Sequence, residues 1–376
     1  MKTLLFTGDF CPHGRIAAIP NANRLDNLYK DIVPDFAAAD FKVVNLEAPV
    51  LPDDDSPIKK IGPALHCYPR DIEFLRDLKT NLASLANNHF KDYGTSGIVK
   101  TLQCCKDYGI ETIGGGVDSR EISQPFYWKN DEGTVAFLNF CENEFSTASD
   151  NSPGANPLDP IKNYYQIQNA RRNADKLIVI VHGGHEMYQL PSPRMKQTYR
   201  FFIDTGADVV IGHHAHCFSG YEKYRNKLIF YSLGNFSFDW PGRHTGIWNE
   251  GYMVRLRLNA GHMDFELLPY VQGRENPGIS YLSSSEQKEF HQKIDHLNQI
   301  IADDTALQNN FAQFCNKNYI SSLGLFEPFG GRYFNWLRKR GLLPSFLSKR
   351  KRMLALNMVR CEAHRDCLLE NLKKGV

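Results

Sequence analysis

The chain has 376 residues, 42% of them hydrophobic, with 44 Lys or Arg against 42 Asp or Glu and a formal net charge of +2. These values exclude large-scale disorder and a nucleic-acid-binding role resting on overall charge, and the length suits one large domain plus an appendage. Nine cysteines, an odd number with no C-x-x-C pair, exclude a zinc ribbon and a disulfide framework and fit reduced thiols in a cytoplasm.

The opening string Lys2-Thr3-Leu4-Leu5-Phe6-Thr7-Gly8-Asp9 is too short an apolar stretch for a signal peptide and reads as a strand over 3–8. Further strands are expected over 41–46, 82–86, 134–140, 176–182, 208–211 and 227–232. Several are apolar throughout, which implies burial on both faces of a sheet covered by helices. Helices over 70–79, 95–107, 161–173 and 192–205 supply that cover, with Thr95 or Ser96 as an N-cap and Gly109 as a stop. The fold class is therefore an α/β sandwich.

Segments 250–258 and 262–270 alternate around Asn259-Ala260-Gly261, as a hairpin does. Residues 272–278 read as a linker, so a first domain is placed at 1–272 and a helical, basic extension at 273–376. Helices are expected near 284–301 and 304–316, then over 333–372. From Arg332 to Val376 there are 12 Lys or Arg and 3 Asp or Glu, a local +9. Lys349-Arg350-Lys351-Arg352 lies amid Leu342, Leu343, Phe346, Leu347 and Leu354, which reads either as a solvated charged face or as a peripheral contact with a membrane surface. No apolar run approaches the ~18 residues of a bilayer span.

Chemistry concentrates where apolar runs meet loops: Gly8-Asp9, Asn45-Leu46-Glu47, Asn88-His89, His182 and His214-Ala215-His216. Two carboxylates, an amide and several imidazoles form a donor set for one or two divalent ions, with manganese, zinc and iron(II) all suited. In an extended segment residues i and i+2 face the same way, so His214 and His216 are expected to face one centre and His213 to point elsewhere. Adjacent Asn88 and His89 diverge, which leaves His89 to face substrate as a general acid, with Asp92 orienting its ring. Gly114-Gly115-Gly116 lacks the Lys and Ser/Thr of a P-loop and reads as a tight turn. Phe236, Phe238 and Trp240 would wall the cleft, and Glu142 and Glu144 stand at another strand end.

These strings resemble the CapA-type capsule-synthesis family, also called the poly-γ-glutamate synthesis family, of the calcineurin-like metallophosphoesterase superfamily. The residues that carry the likeness are Gly8-Asp9 with Arg15, Asn45-Leu46-Glu47, Leu85-Ala86-Asn87-Asn88-His89 with Asp92 and Gly94, Gly114-Gly115-Gly116, His182-Gly183 with Glu186, Gly212-His213-His214-Ala215-His216 and Tyr231-Ser232-Leu233-Gly234-Asn235-Phe236 with Phe238-Asp239. They span residues 3 to about 270.

The resemblance implies a four-layer α/β/β/α metallophosphoesterase-like fold. Asp9 and His216 would serve one ion, Asn88, His182 and His214 the other, and Glu47 both. Arg15, Glu186, His213 and Asn235 become candidate substrate contacts, and His89 with Asp92 the catalytic pair. The function implied is metal-dependent hydrolysis, phosphoesterase-like, in capsule or extracellular-polymer synthesis, on an anionic polymer or phosphorylated precursor and not on nucleic acid. The alternative is a non-catalytic accessory protein that binds a polyanionic polymer such as poly-γ-glutamate for synthesis or export. Two departures from the superfamily pattern bear on this choice. Cys11 stands where Asp-x-His would place a histidine, leaving Cys11 as a soft ligand or a loop residue and His13 as a substitute, and Glu47 stands where a shorter Asp would bridge.

Overall fold

Along the first strand Leu4 and Phe6 enter one apolar core while Leu5 enters another, as the two-residue period of a strand requires. In the second strand Phe41 and Val43 join the first core and Val44 and Leu46 the second. A sheet apolar on both faces must be covered on both. Here one face meets a second sheet, through contacts such as Phe6 on Phe137 with ring centroids 6.4 Å apart, and the other meets helices.

The computed structural model describes residues 1–54, 56–149, 152–259, 262–318, 326, 327, 329 and 331–373. Its strands are β1 (Lys2–Phe10), β2 (Phe41–Leu46), β3 (Leu82–Ser84), β4 (Glu111–Ile113), β5 (Gly115–Gly116), β6 (Phe126–Asn130), β7 (Gly133–Cys141), β8 (Gly154–Ala155), β9 (Lys176–His182), β10 (Val209–His213), β11 (Tyr221–Tyr224), β12 (Lys227–Phe230), β13 (Asn235–Ser237), β14 (Glu250–Asn259), β15 (His262–Gln272) and β16 (Ile279–Tyr281). The first sheet has the order β16-β15-β14-β1-β2-β3-β4, with β13 also paired to β1. The second runs β11-β12-β10-β9-β7-β6. Strands β1 to β4 are mutually parallel, as are β7, β9, β10 and β12.

Helices Val33–Ala38, Pro69–Asp77 and Gly94–Asp107 cover the first sheet with Phe36, Ile72, Phe74, Leu75 and Ile98. Helices Pro160–Arg171 and Pro193–Asp204 cover the second with Ile167, Ala170, Met195, Tyr199 and Phe202. The result is the four-layer α/β/β/α sandwich. Asp159 and Ser192 cap the latter two helices by accepting from backbone N–H groups, satisfying donors that an open helix end would leave unpaired. The helix after β3 departs from expectation. It starts at Gly94 after Tyr93 with no side-chain cap, so Thr95 and Ser96 lie inside it.

β14 and β15 pair antiparallel from Glu250↔Val271 to Asn259↔His262, the expected hairpin, whose turn residues 260 and 261 lie outside the described residues. The expected linker over 272–278 is instead a closed loop. β15 runs through Gln272, the Gly273 N–H donates to the Gly278 carbonyl at 3.1 Å, and β16 returns to pair with β15. A Ser283/Glu286 capping box then starts helix Ser284–Ala302, which adds Phe290, Ile294, Leu297 and Ile301 to the same apolar core as Leu4 and Phe6. The chain divides into a unit Met1–Gln308 and a unit Asn309–Val376, a division past the expected 272/273. Within the second unit the helical, basic segment expected over 333–372 contains three helices among the described residues, Arg332–Lys339, Lys349–Arg360 and Glu362–Lys373. Cys361, with extended backbone, separates the last two.

Candidate metal centre

Parallel strands deliver their carboxyl ends to one place, where an α/β protein commonly binds ligands. Asp9 is the penultimate residue of β1, Glu47 follows β2, His182 ends β9 and His213 ends β10, while Asn88 and His89 lie in the loop after β3. Asp9 is held from both sides, in register with Asn45 of β2 and Asn235 of β13. Gly8 permits this crowding: a Cβ there would stand 2.0 Å from the Gly234 carbonyl oxygen.

Asp9, Glu47, Asn88, His182, His214 and His216 are all buried and fall into two groups. Glu47, His182 and His214 offer donor atoms within 4.8 Å of one another, as do Asp9, Glu47 and His216. Around His182 Nε2 the separations are 3.0 Å to Asn88 Oδ1, 3.1 Å to His214 Nδ1 and 3.4 Å to Glu47 Oε1. Bonds of ~2.0–2.1 Å to a shared ion would put ligand atoms ~3.0–3.4 Å apart. His216 Nε2 lies 3.7 Å from Glu47 Oε1 and its Nδ1 3.6 Å from Asp9 Oδ2.

The electrostatics favour a cation in this place. Both Glu47 oxygens are buried without a hydrogen-bond partner, a costly state for a carboxylate unless something positive approaches. Burial, then the charge of Asp9, pushes the Glu47 carboxyl well above its usual range. Burial, reinforced by His214 and its neighbours, drives the His182 imidazole well below its usual value. Burial also takes His216 down to about 4, against the pull of Asp9. Neutral imidazoles are the coordinating form. For Asp9 burial raises the pKa, but His213, His216 and the His214 N–H outweigh it and leave the carboxyl below its ordinary value.

Supporting side chains set the donor directions. Asn45 Nδ2 donates to Asp9 Oδ1 at 2.8 Å and approaches His182 Nδ1 at 3.3 Å. Asn235 Oδ1 lies 2.9 Å from His216 Nδ1, and its Nδ2 donates to the carbonyls of His216 and Trp248. With Nδ1 protonated toward Asn235, His216 Nε2 is the free lone pair. Asn235 is therefore placed to orient a donor, with its own groups committed.

Other expectations land differently. His213 does not point away: its Nδ1 sits 3.0 Å from Asp9 Oδ1. The extended-chain argument fails there because His214 (φ 93) and His216 (φ 54) occupy the left-handed region, so a bend turns three successive histidine side chains toward one centre. Such strain costs about 1–3 kcal/mol per residue. Arg15 is not a free contact for substrate. Its Nε donates to Asp239 Oδ2, its Nη2 to Asp239 Oδ1 and the carbonyls of Gly273 and Arg274, and its Nη1 to the Glu275 carbonyl, clamping the loop between β15 and β16.

Glu186 is exposed, near enough for its charge to act on Glu47 and His216. Glu144 Oε1 reaches to 4.0 Å from His214 Nε2, whereas Glu142 pairs with Arg194 and accepts from the Gly184 N–H. Phe238 and Trp248 pack on His216, and Trp240 on Phe238 and on His13. Cys11 and His13 belong to neither donor group among the described residues. Gly114 packs on Asn139, where a Cβ would meet Oδ1 at 2.4 Å, and Gly115–Gly116 pair with β8, as a turn would rather than a phosphate cradle.

His89 donates from Nδ1 to Asp92 Oδ2 at 2.7 Å, which leaves Nε2 for a reacting group. Lys60, which sequence reasoning missed, pairs with Asp92 Oδ1 and lies 3.1 Å from His89 Nδ1, its side chain only 5% exposed. Nothing in its spacing marks it, since it reaches the pair from a loop some thirty residues upstream.

A sequence profile described as bacterial capsule synthesis protein PGA_cap matches residues 3–240. The chain belongs to this family. It is 30% identical over 289 residues to the PGA biosynthesis protein CapA of Bacillus subtilis strain 168, covering 75% of each chain. To the capsule biosynthesis protein CapA of Bacillus anthracis it is 29% identical over 245 residues, 63% of this chain and 60% of that one, so it spans under two thirds of that relative. A probable polyglutamine synthesis accessory protein of Mycobacterium tuberculosis is 27% identical over 59% of this chain and 60% of its own length. Among solved structures, a phosphatase of Mycoplasma pneumoniae aligns with a TM-score of 0.44 at 14% identity, over 73% of this chain and 95% of that one. A putative 5'-nucleotidase of Staphylococcus aureus aligns with a TM-score of 0.44 at 13% identity, over 78% and 58%. This PGA_cap chain contains, among its described residues, no helix long and apolar enough to cross a membrane.

Proposed function

We propose that this PGA_cap protein is a metal-dependent hydrolase, phosphoesterase-like, acting in the cytoplasm in capsule or extracellular-polymer synthesis. Its substrate in this reading is an anionic polymer or phosphorylated precursor, and its basic C-terminal segment makes a peripheral contact at a membrane surface. The observation that carries the reading is Glu47, buried with both oxygens unpartnered at the junction of two imidazole-bearing donor groups. Glu47, Asn88, His182 and His214 would hold one divalent ion, and Asp9, Glu47 and His216 a second. Manganese, zinc and iron(II) all suit these donors. Such ions, when bound, supply Lewis acidity toward a phosphoryl oxygen and acidify water. The protein's own groups do the rest. His89 Nε2 gives a proton to the leaving oxygen, Asp92 holds that ring by its Nδ1, and Asn235 keeps His216 in one tautomer.

The test is turnover of p-nitrophenyl phosphate and its bis-ester by protein loaded with Mn²⁺ or Zn²⁺. Activity should vanish on chelation, and His89→Ala should lower kcat about 10²–10⁴-fold without altering metal content. Metallated protein that cleaves no phosphate monoester, diester or amide sinks the hydrolase reading. A second reading, a non-catalytic accessory that binds a glutamyl polymer, draws on Cys11 standing apart from both donor groups. It predicts that His89→Ala leaves cellular polymer production intact.

A further inference from the structure

The described residues of the unit Asn309–Val376 bury few side chains. Among its residues whose side chains are described, Glu327 and Leu347 alone are buried. Tyr333, Trp336, Leu342, Phe346, Met353 and Leu356 are all exposed, Tyr333 to 67% and Leu342 to 65%. Helices hold their shape by burying an apolar stripe against something. Monomeric proteins seldom leave so much apolar surface uncovered without an interaction that needs it.

Charge identifies what covers it. With 12 Lys or Arg against 3 Asp or Glu between Arg332 and Val376, a second copy of the segment would meet like charge. A chain of glutamates would satisfy the cations but offers little apolar matter to the rings and leucines. An anionic bilayer offers both in one surface, phosphate at the headgroups and hydrocarbon beneath.

Local geometry fits that surface. Tyr333 and Trp336 sit three residues apart on helix Arg332–Lys339, rings 6.2 Å apart and 13° from parallel, and the Arg340 guanidinium lies 3.8 Å from the Trp336 ring centroid. An aromatic pair bearing a cation is the side-chain type that favours a membrane interface. Helix Lys349–Arg360 adds an independent sign. Ser348 caps it, yet Lys349, Arg350, Lys351 and Arg352 crowd its first turn with no acidic residue. Cations at the positive end of a helix dipole are unfavourable in water, and a phosphate placed there relieves them.

We propose that residues 332–373 are a membrane-surface element that docks on bilayers containing anionic phospholipid, through headgroup contact by Lys349 to Arg352 and shallow insertion of Tyr333 and Trp336. This deepens the membrane contact in the function proposed above and names its partner. The test is sedimentation of the full chain with vesicles of phosphatidylcholine alone or with about a third phosphatidylglycerol, at low and high salt. Wild type should bind the anionic vesicles at least ten-fold more tightly and lose binding with salt.

Each Lys or Arg reversed to Glu at 349–351 should weaken binding about five-fold or more, and Tyr333→Ser with Trp336→Ser should weaken it at matched charge. All these side chains are solvent-facing, and an unchanged melting temperature will verify the fold. Equal binding to both vesicle types, binding unaffected by the charge reversals, or binding only to soluble poly-glutamate or to an acidic protein would overturn the proposal. Absent vesicle binding with metal-dependent turnover intact overturns this inference and spares the hydrolase reading. Intact vesicle binding with no turnover does the reverse.

Discussion

Replacing Glu47 by glutamine should stabilise the metal-free protein while abolishing its response to metal. Glu47 is fully buried and its oxygens lack partners, and it shares with Asp9 a cluster whose donor atoms lie within 4.8 Å of one another. Two unit negative charges at that distance would repel by about 3–4 kcal/mol at an effective dielectric of ~20, an upper bound here, because burial and the charge of Asp9 raise the Glu47 carboxyl and favour its protonated form. Glutamine removes the repulsion but leaves a buried amide short of partners, at about 1–3 kcal/mol. The net gain is about 0–3 kcal/mol, or a rise of up to about 5 °C in melting temperature for the unit Met1–Gln308. Metal acts oppositely on the wild type. An ion at 100 times its Kd adds about 2.7 kcal/mol per site, which should lift the wild-type melt by several degrees and the variant's far less. The assay is a thermal melt in chelator and again in excess Mn²⁺. If Glu47→Gln melts several degrees below wild type in chelator and still gains fully from Mn²⁺, Glu47 is a structural residue and the metal centre is wrongly assigned.

Three further outcomes follow from the same geometry. Asn235→Ala removes the Oδ1 acceptor that orients His216 and should weaken metal binding about 10–100-fold; isothermal titration giving unchanged affinity would refute that role. Gly8→Ala drives a Cβ to 2.0 Å from the Gly234 oxygen, a backbone atom that cannot yield without moving β13, so a loss of about 1–3 kcal/mol or more is expected, together with a reduced metal-induced shift. Asp71→Asn breaks an ion pair whose two members, Arg24 and Asp71, are wholly buried and 2.5 Å apart; urea unfolding should show a loss of about 3–5 kcal/mol, whereas a loss below 1 kcal/mol would mean the pair is not desolvated.

The sheets were legible because buried parallel strands must be apolar on both faces, and Val43-Val44 or Ile178-Val179-Ile180 can hardly be anything else. The site was legible for a related reason: a polar residue directly after such a run has few places to go but the carboxyl edge. Around residues 213–216 the backbone departs from the ideal extended form. His214 and His216 converge through left-handed φ values, which no side-chain period encodes, and the same bend brings His213 to Asp9. Arg15 looked available because a sequence cannot display the carbonyls of Gly273, Arg274 and Glu275 that surround its guanidinium. Gln272–Gly278 has a linker's composition, yet Arg15 turns it into a fixed loop. Lys60 acts through contacts with His89 and Asp92, distant in sequence, where pattern carries little information.

Charge links the two halves of the proposed chemistry. Coordination requires neutral imidazoles, and burial already holds His182 and His216 in that form, so Asp9 and Glu47 contribute the centre's negative charge, two units when both are ionised. One divalent cation cancels it. A second leaves an excess of about two positive charges in a buried cleft, unfavourable until an anion of matching charge arrives. The donors are divided accordingly. Asn88, His182, His214 and Glu47 can hold an ion with four protein groups, whereas Asp9, Glu47 and His216 supply three, with Cys11 outside both sets. The three donors Asp9, Glu47 and His216 would therefore hold an ion more weakly than the other four without an anion nearby, so a metal titration should find one tight equivalent in the free protein and two once a non-hydrolysable phosphate analogue is present. Two equally tight equivalents without the analogue would break this link between occupancy and substrate.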